Sequence, residues 1–447
     1  MTAATSRAPA DGISPLAAAF RSGADDPVRA LERALAAADR GAADLALACR
    51  VPAAREAAIA SRARFASRTP LGPLDGAPIA VKDCIDVAGL PSGNGTAFLR
   101  APAAADATVV ARLRSAGAVV FAKSAMHEFG IQPTGINPRL GTPRNPWDPR
   151  RIPGGSSSGS AVLVATGVAA GALGTDAGGS VRVPAALNGL VGLKPTFDAV
   201  PLAGIAGLTL DLDHCGPLAW SVEDATVLFE CIAARPVSRE PFAGTAALLT
   251  DFLLGAEEPV VRAVRGAAAE VFGALPEVAT PLSRWAAAVE FVIVGTDAQK
   301  TCAPLLREHA AEMGADTRVI LQLGAGLPQG DRARADAVRA GMRRELDALL
   351  ERHDVLIGPA TGSLAPVLHP AALRSGELDT RKMAQLAAVT FVTNLTGHPC
   401  CVVPCVRDGL PAGLQIIGRH GAEATVLAAA RRVEEVFGPR RPPRWHA

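Results

Sequence analysis

Residues 13–66 are alanine-rich with scattered Arg, Asp and Glu and little glycine, a texture that predicts two or three helices. From Pro70 onward glycine and proline punctuate short apolar runs. Pro78–Val81 predicts a short buried strand that ends on Lys82. Thr108 is placed to cap a helix carrying Val109, Val110, Leu113 and Ala116 at helical spacing, and Gly117 stops it. Ala118–Ala122 then reads as the next strand, and this alternation argues for an α/β layer architecture. Residues 140–160 form a long loop rich in Pro, Gly, Arg and Ser, and 161–174 predict a helix closed by a turn at Gly171–Gly174. Residues 225–350 are mostly helical in texture. Strand-like runs return at Val355–Gly358, Cys400–Val406 and Gly413–Ile417, before a helix over Glu423–Phe437. No internal repeat or low-complexity linker divides the chain.

Composition narrows the picture. With 447 residues, 49% apolar and 20% charged, the chain can bury a sizeable core and is not disordered. A formal charge of +2 gives no electrostatic reason to expect nucleic acid or an anionic membrane as partner. The eight cysteines include no CxxC pair, which predicts buried thiols in a reduced, cytoplasmic protein. Cys400, Cys401 and Cys405 sit in an apolar run and read as core. MTAATSRAPADG at the start has no charged region followed by an apolar one, so no export signal is expected. The longest apolar stretch, Ala161–Gly174, is too short to span a bilayer. No two histidines show ligand spacing, so neither a metal nor a cofactor is expected; His398, before Pro399, reads as structural.

The candidate chemistry lies in the centre. Pro153-Gly-Gly-Ser-Ser-Ser-Gly-Ser160 is followed by Gly174-Thr-Asp-Ala-Gly-Gly-Ser-Val-Arg-Val-Pro184. Glycine is useful where backbone must approach something closely or adopt unusual dihedrals. A run such as Ala177-Gly178-Gly179-Ser180 can turn several N–H groups toward one point, as an oxyanion hole requires. A flexible linker is disfavoured by the apolar runs on either side, and the phosphate-binding pattern GxxxxGK[ST] is absent. Gly155–Gly159 formally matches GxSxG around Ser157. That elbow must follow a buried strand, and the preceding stretch from Asn145 to Pro153, with three prolines, cannot be one.

These residues resemble the amidase signature family. The resemblance combines GGSSSG at 154–159, TDAGGSVRVPA at 175–185 and the 24 positions between Ser156 and Ser180. Gly76–Asp86 looks like that family's lysine segment, and Arg144–Asp148, Asn394–Pro399 and Gly409–Gly418 resemble its other blocks. The resemblance covers about residues 10–440, which implies a single catalytic domain with the helical segment 13–66 packed on it. It implies an α/β fold: a mixed, twisted central sheet covered by helices on both faces. It also implies Ser180 as nucleophile, Ser156 (preceded by a cis peptide) as relay and Lys82 as base. The amides of Ala177, Gly178, Gly179 and Ser180 would form the oxyanion hole. Thr175, Asp176 and Arg182 would support the loop, the last two as a pair. His127, in Met126–Gly130, falls in a segment that borders the family's substrate channel and is expected at the surface or behind the site.

The chemistry is coherent with these residue types. A serine hydroxyl needs a base, and lysine serves only when neutral, which burial favours. Asp83 and Asp86 would oppose that shift, so they are expected to point elsewhere. Met126, Phe129, Ile131 and Leu202 are candidates for an apolar pocket, and Val183 beside Arg182 offers no second cation. The expected substrate is therefore a neutral, partly hydrophobic small amide, with esters or carbamates (urethanase-like) also accepted. The alternative is the glutaminase-type subunit of a tRNA-dependent amidotransferase, which needs a second, different chain as partner. Otherwise the chain is expected to act as a monomer or homodimer.

Overall fold

A computed structural model describes residues 12–443 except 41, 42, 44, 210, 329 and 378. Residues 1–11, which carry the reading of no export signal and the start of the expected domain, lie outside the described residues. Eleven strands form one sheet: β1 (Leu47–Arg50), β2 (Pro78–Lys82), β3 (Val119–Ser124), β4 (Gly171–Thr175), β5 (Val191–Lys194), β6 (Cys215–Ala219), β7 (Ala246–Leu249), β8 (Glu277–Val278), β9 (Val355–Pro359), β10 (Cys400–Pro404) and β11 (Gly413–Gly418). Their order is β1-β3-β2-β4-β6-β5-β10-β11-β9-β7-β8. β2 runs parallel to both β3 and β4, β7 runs parallel to β8 and β9, and the other pairs are antiparallel. The sheet is therefore mixed, as expected.

Alternation along β2 shows how both faces are covered. Ile79 and Val81 join one apolar layer with Val109, Val110 and Leu113, while Ala80 joins the opposite layer with Ala161–Ala165. Because both faces are buried, the strand reads as a continuous apolar run. Each fully buried Ile or Val of this kind contributes roughly 1.5–3 kcal/mol.

Several local expectations are corrected. The segment 13–66 holds helices Ile13–Ser22, Pro27–Ala38 and Ala54–Ala66, but it also supplies β1. Thr108 is the first residue of its helix; Ala107 stands at the cap position without a side-chain bond. The run 161–174 is not one helix. The helix spans Ser158–Ala165, Gly167 turns the chain at φ +72°, and 171–175 form β4. Helix and strand are both fully buried, so each reads as small and apolar and periodicity cannot separate them. The region 225–350 contains β7 and β8 besides its helices. The helix Glu423–Phe437 has the expected bounds.

The N-terminal helix docks through a buried carboxylate. It buries Ile13, Leu16, Ala17 and Phe20 on one face. Its first amides have no partner within the helix, and Asp224 supplies one: Oδ2 accepts from Ile13 N at 3.0 Å and Oδ1 from Ser14 N at 2.9 Å. Ser14 Oγ donates to Oδ1 at 2.7 Å. Replacing Asp224 by Ala is expected to cost about 1–3 kcal/mol. Urea unfolding checks this through a lowered midpoint at unchanged slope; an unmoved midpoint would refute the docking role.

Candidate active site

β2 and β4 are parallel neighbours, with Ile79 opposite Gly171 and Val81 opposite Leu173, so their carboxyl ends lie side by side. Lys82 ends one and Thr175 the other. Lys82 is fully buried. Its Nζ lies 2.7 Å from Ser156 Oγ and donates to Thr175 Oγ1 at 2.7 Å. Burial holds its pKa below the ordinary lysine value, against the opposing charges of Cys84, Asp213, Asp176 and Cys215. Asp83 and Asp86 do point away: Asp83 accepts from Gly95 N at 3.0 Å and lies 3.8 Å from Lys123 Nζ, and Asp86 accepts from Ser92 Oγ.

Ser156 is held by its loop. The Gly155–Ser156 peptide is cis. The loop then enters helix Ser158–Ala165, whose Gly159 must stay small: a Cβ there would lie 2.5 Å from Ala125 N. Ser157, the centre of the GxSxG match, follows no strand and is fully buried, donating to Thr175 O at 3.3 Å. Ser156 and Ser180 line one small cavity together with Met126, Phe129 and Ala177. A larger groove around Leu71, Arg112 and Arg235 contains none of the serine or lysine residues of this centre.

The loop 175–182 is fixed by a buried ion pair. Arg182 Nε donates to Asp176 Oδ2 at 3.0 Å and Nη2 to Oδ1 at 2.9 Å, with both side chains fully buried. Arg182 Nη1 also donates to Gln415 Oε1 at 2.9 Å and to Thr393 Oγ1 at 2.5 Å, tying the loop to β11 and to helix Thr380–Thr396. Burial works against ionisation of Asp176, but the Arg182 charge holds the carboxyl well below the usual range.

The four amides expected to converge are not equivalent. Gly179 has φ +124°, and a Cβ there would strike Thr390 Oγ1. Its N–H donates to Asp176 Oδ1 at 2.8 Å and so is already satisfied. The N–H groups of Ala177, Gly178 and Ser180 find no acceptor among the described residues. Of the expected pocket residues, Met126 and Phe129 line the cavity; Ile131 and Leu202 do not. Leu202 packs on the Ile79–Val81 layer, and Ile131 on the layer with Phe129 and Ile293. Ala206 and Leu208 line the cavity instead. His127 is buried rather than at the surface, with Nε2 3.1 Å from Asp316 Oδ2.

Two carboxyl groups escape a reading of the sequence alone. Asp213 lines the cavity, accepts from Thr209 N and Oγ1 at 2.8 Å each, and has its pKa raised by burial. Glu290, half-buried on helix Ala286–His309, has Oε1 3.1 Å from where a Cβ on Gly178 would sit. Burial pushes its carboxyl up to about 8. Neither lies in a glycine- or serine-rich motif, so nothing local in the sequence marks them.

The mixed eleven-stranded sheet with its flanking helices is an α/β fold of the amidase signature type. The chain belongs to the Amidase family, whose model matches residues 28–243 and 283–427. It is 35% identical over 415 residues to a fatty acid amide hydrolase of Medicago truncatula, covering 86% of this chain and 68% of that protein. It is 36% identical over 425 residues to a glutamyl-tRNA(Gln) amidotransferase subunit of Symbiobacterium thermophilum, covering 83% and 85% respectively. A solved structure described as an amidase superposes with a TM-score of 0.88 at 35% identity, covering 96% of this chain and all of that one.

Because Asp176 has no exit to water, deleting its partner leaves a buried charge unpaired. Arg182→Met is expected to destabilise the fold by about 3–5 kcal/mol in chemical denaturation. A loss under about 1 kcal/mol, the range of a surface pair, would contradict the structural role.

Proposed function

We propose that the chain hydrolyses a C–N bond through an acyl-enzyme on Ser180, with Ser156 as relay and Lys82 as base. The observation that carries this reading is the fully buried Lys82 Nζ, 2.7 Å from Ser156 Oγ, beside the cavity that Ser180 shares. Neutral Lys82 accepts the Ser156 proton while Ser156 accepts that of Ser180, and Ser180 Oγ attacks the carbonyl carbon. Thr175 Oγ1 accepts one Lys82 N–H, which leaves the Nζ lone pair for Ser156. The developing oxyanion is stabilised by the amides of Ala177, Gly178 and Ser180. Each such donor typically contributes a factor of about 10²–10³ in rate. The protonated relay returns its proton to the leaving nitrogen, and water repeats the sequence on the acyl-enzyme.

The substrate we favour is a neutral, partly hydrophobic small amide, with esters and carbamates as slower or parallel substrates. Support comes from Met126, Phe129 and Leu208 on the cavity wall. The identity with a fatty acid amide hydrolase points the same way. A second reading, the glutaminase-type subunit of a tRNA-dependent amidotransferase, draws on the identity with the Symbiobacterium protein over 85% of its length. Release of ammonia from glutamine, together with co-purification of a second, different chain, would favour it over the first.

A fluorophosphonate probe followed by intact mass tests the nucleophile. One adduct is expected on the wild type and none on Ser180→Ala. Lys82→Ala should slow labelling by about 10²–10⁴, the usual worth of a positioned general base. An undiminished adduct on Ser180→Ala would overturn the assignment.

A further inference from the structure

Away from this cavity, three segments bring together three side chains with metal-ligating atoms. Asp347 lies near the end of helix Asp331–Leu350, His398 in the turn before β10, and His420 in the turn after β11. One ligand atom from each lies within 4.8 Å of the other two. His398 is fully buried, whereas Asp347 and His420 face solvent, so an ion can enter from water.

Hydrogen bonding fixes which nitrogen His398 presents. Thr396 Oγ1 donates its single proton to Val392 O at 2.9 Å. Its oxygen therefore accepts from His398 Nδ1–H, 3.0 Å away. This is the outer-shell bond that orients a metal-ligating histidine. His398 Nε2 is then turned to Asp347 Oδ1 at 3.0 Å. Two lone pairs facing at that distance need a cation between them, either a proton or a metal. The His420 ring stands alongside, centroid to centroid 4.2 Å from that of His398. The exposed Arg343 donates to His420 Nε2 at 3.3 Å. Its positive charge thus stands beside the His420 ring and opposes a cation there. The buried Lys194 acts on His398 electrostatically, another positive charge that a metal would have to overcome.

We propose that Asp347, His398 and His420 form a site for one divalent transition-metal ion of the zinc type. Two imidazoles and one carboxylate suit a borderline ion rather than calcium or magnesium, which take oxygen ligands. Water completes the coordination. The ion clips helix Asp331–Leu350 to the turns flanking β10 and β11, which also meet through the Arg419 Nε bond to Leu350 O at 2.6 Å. Binding to the native fold raises its stability by mass action. No histidine pair in the sequence has ligand spacing because the three ligands come from separate elements.

The test uses the full-length protein, stripped with EDTA, desalted, incubated with Zn²⁺ and passed through gel filtration. Retained zinc is measured by elemental mass spectrometry, Kd by calorimetry and Tm by thermal unfolding. His420→Ala and Asp347→Asn, both at the surface, serve as variants. The proposal expects one zinc per wild-type chain and a raised Tm. In each variant it expects affinity to fall by at least about tenfold and the Tm rise to vanish. Absence of retained zinc would show that a proton alone bridges His398 and Asp347, and would overturn the site. Zinc retained equally by both variants would place it elsewhere on the chain and overturn the site as well.

Discussion

A lysine held in the dry interior, with no carboxylate in contact, is the constraint on which the rest of the site depends. Removing an ammonium from water costs several kcal/mol, and a direct ion pair would repay part of that while fixing the charge. Lys82 has instead two neutral oxygens at 2.7 Å, those of Ser156 and Thr175. Two hydroxyl partners do not compensate an ammonium as a carboxylate does, so burial shifts the balance toward the free amine. The nearest sequence carboxylate, Asp83, is drawn off by Gly95 N and Lys123. A second buried lysine thus helps keep the first without a counter-ion.

The fold supplies the dryness and the register together. Parallel pairing of β2 with β4 sets Lys82 and Thr175 at adjacent strand ends. Such carboxyl ends are where open α/β sheets place their sites. Small residues let the serine-bearing helix Ser158–Ala165 lie close on β4: a Cβ at Gly174 would come within 2.7 Å of Ser157 Oγ. The Asp176–Arg182 pair is the opposite electrostatic solution, charges buried but fully matched. It carries the loop of Ser180 on a frame anchored to β11 and to helix Thr380–Thr396. Asp176 spends its carboxylate on Arg182, the Gly179 amide and Asn394, which leaves it no contact with Lys82.

What the sequence made legible was local. The apolar run before Lys82 marks a buried strand end, and the two glycine- and serine-rich stretches mark unusual backbone. The family resemblance joined these pieces and implied a mixed sheet. What stayed hidden depends on contacts between distant positions. β4 reads as the end of a helix because strand and helix here are equally small and buried. β1 and β8 are too short to carry a period, and the four apolar residues of β7 fit either element. Asp213 and Glu290 reach the site from loops and helices that no motif marks. The prior engagement of the Gly179 amide follows from the side-chain direction of Asp176, which the motif does not specify.

The most direct test of lysine as the base is the protonation state of Lys82 itself. The chain has only five lysines, so ¹³C- and ¹⁵N-labelled side-chain amines can be followed through a pH titration, with Lys82→Ala assigning the signal. Lys82 is predicted to lose its proton at a midpoint clearly below the ordinary value of 10.5. The free-amine fraction then grows as pH rises, and hydrolysis rises with it through the same midpoint. A Lys82 signal that titrates at or above 10.5, in protein that labels on Ser180, would contradict lysine as the base.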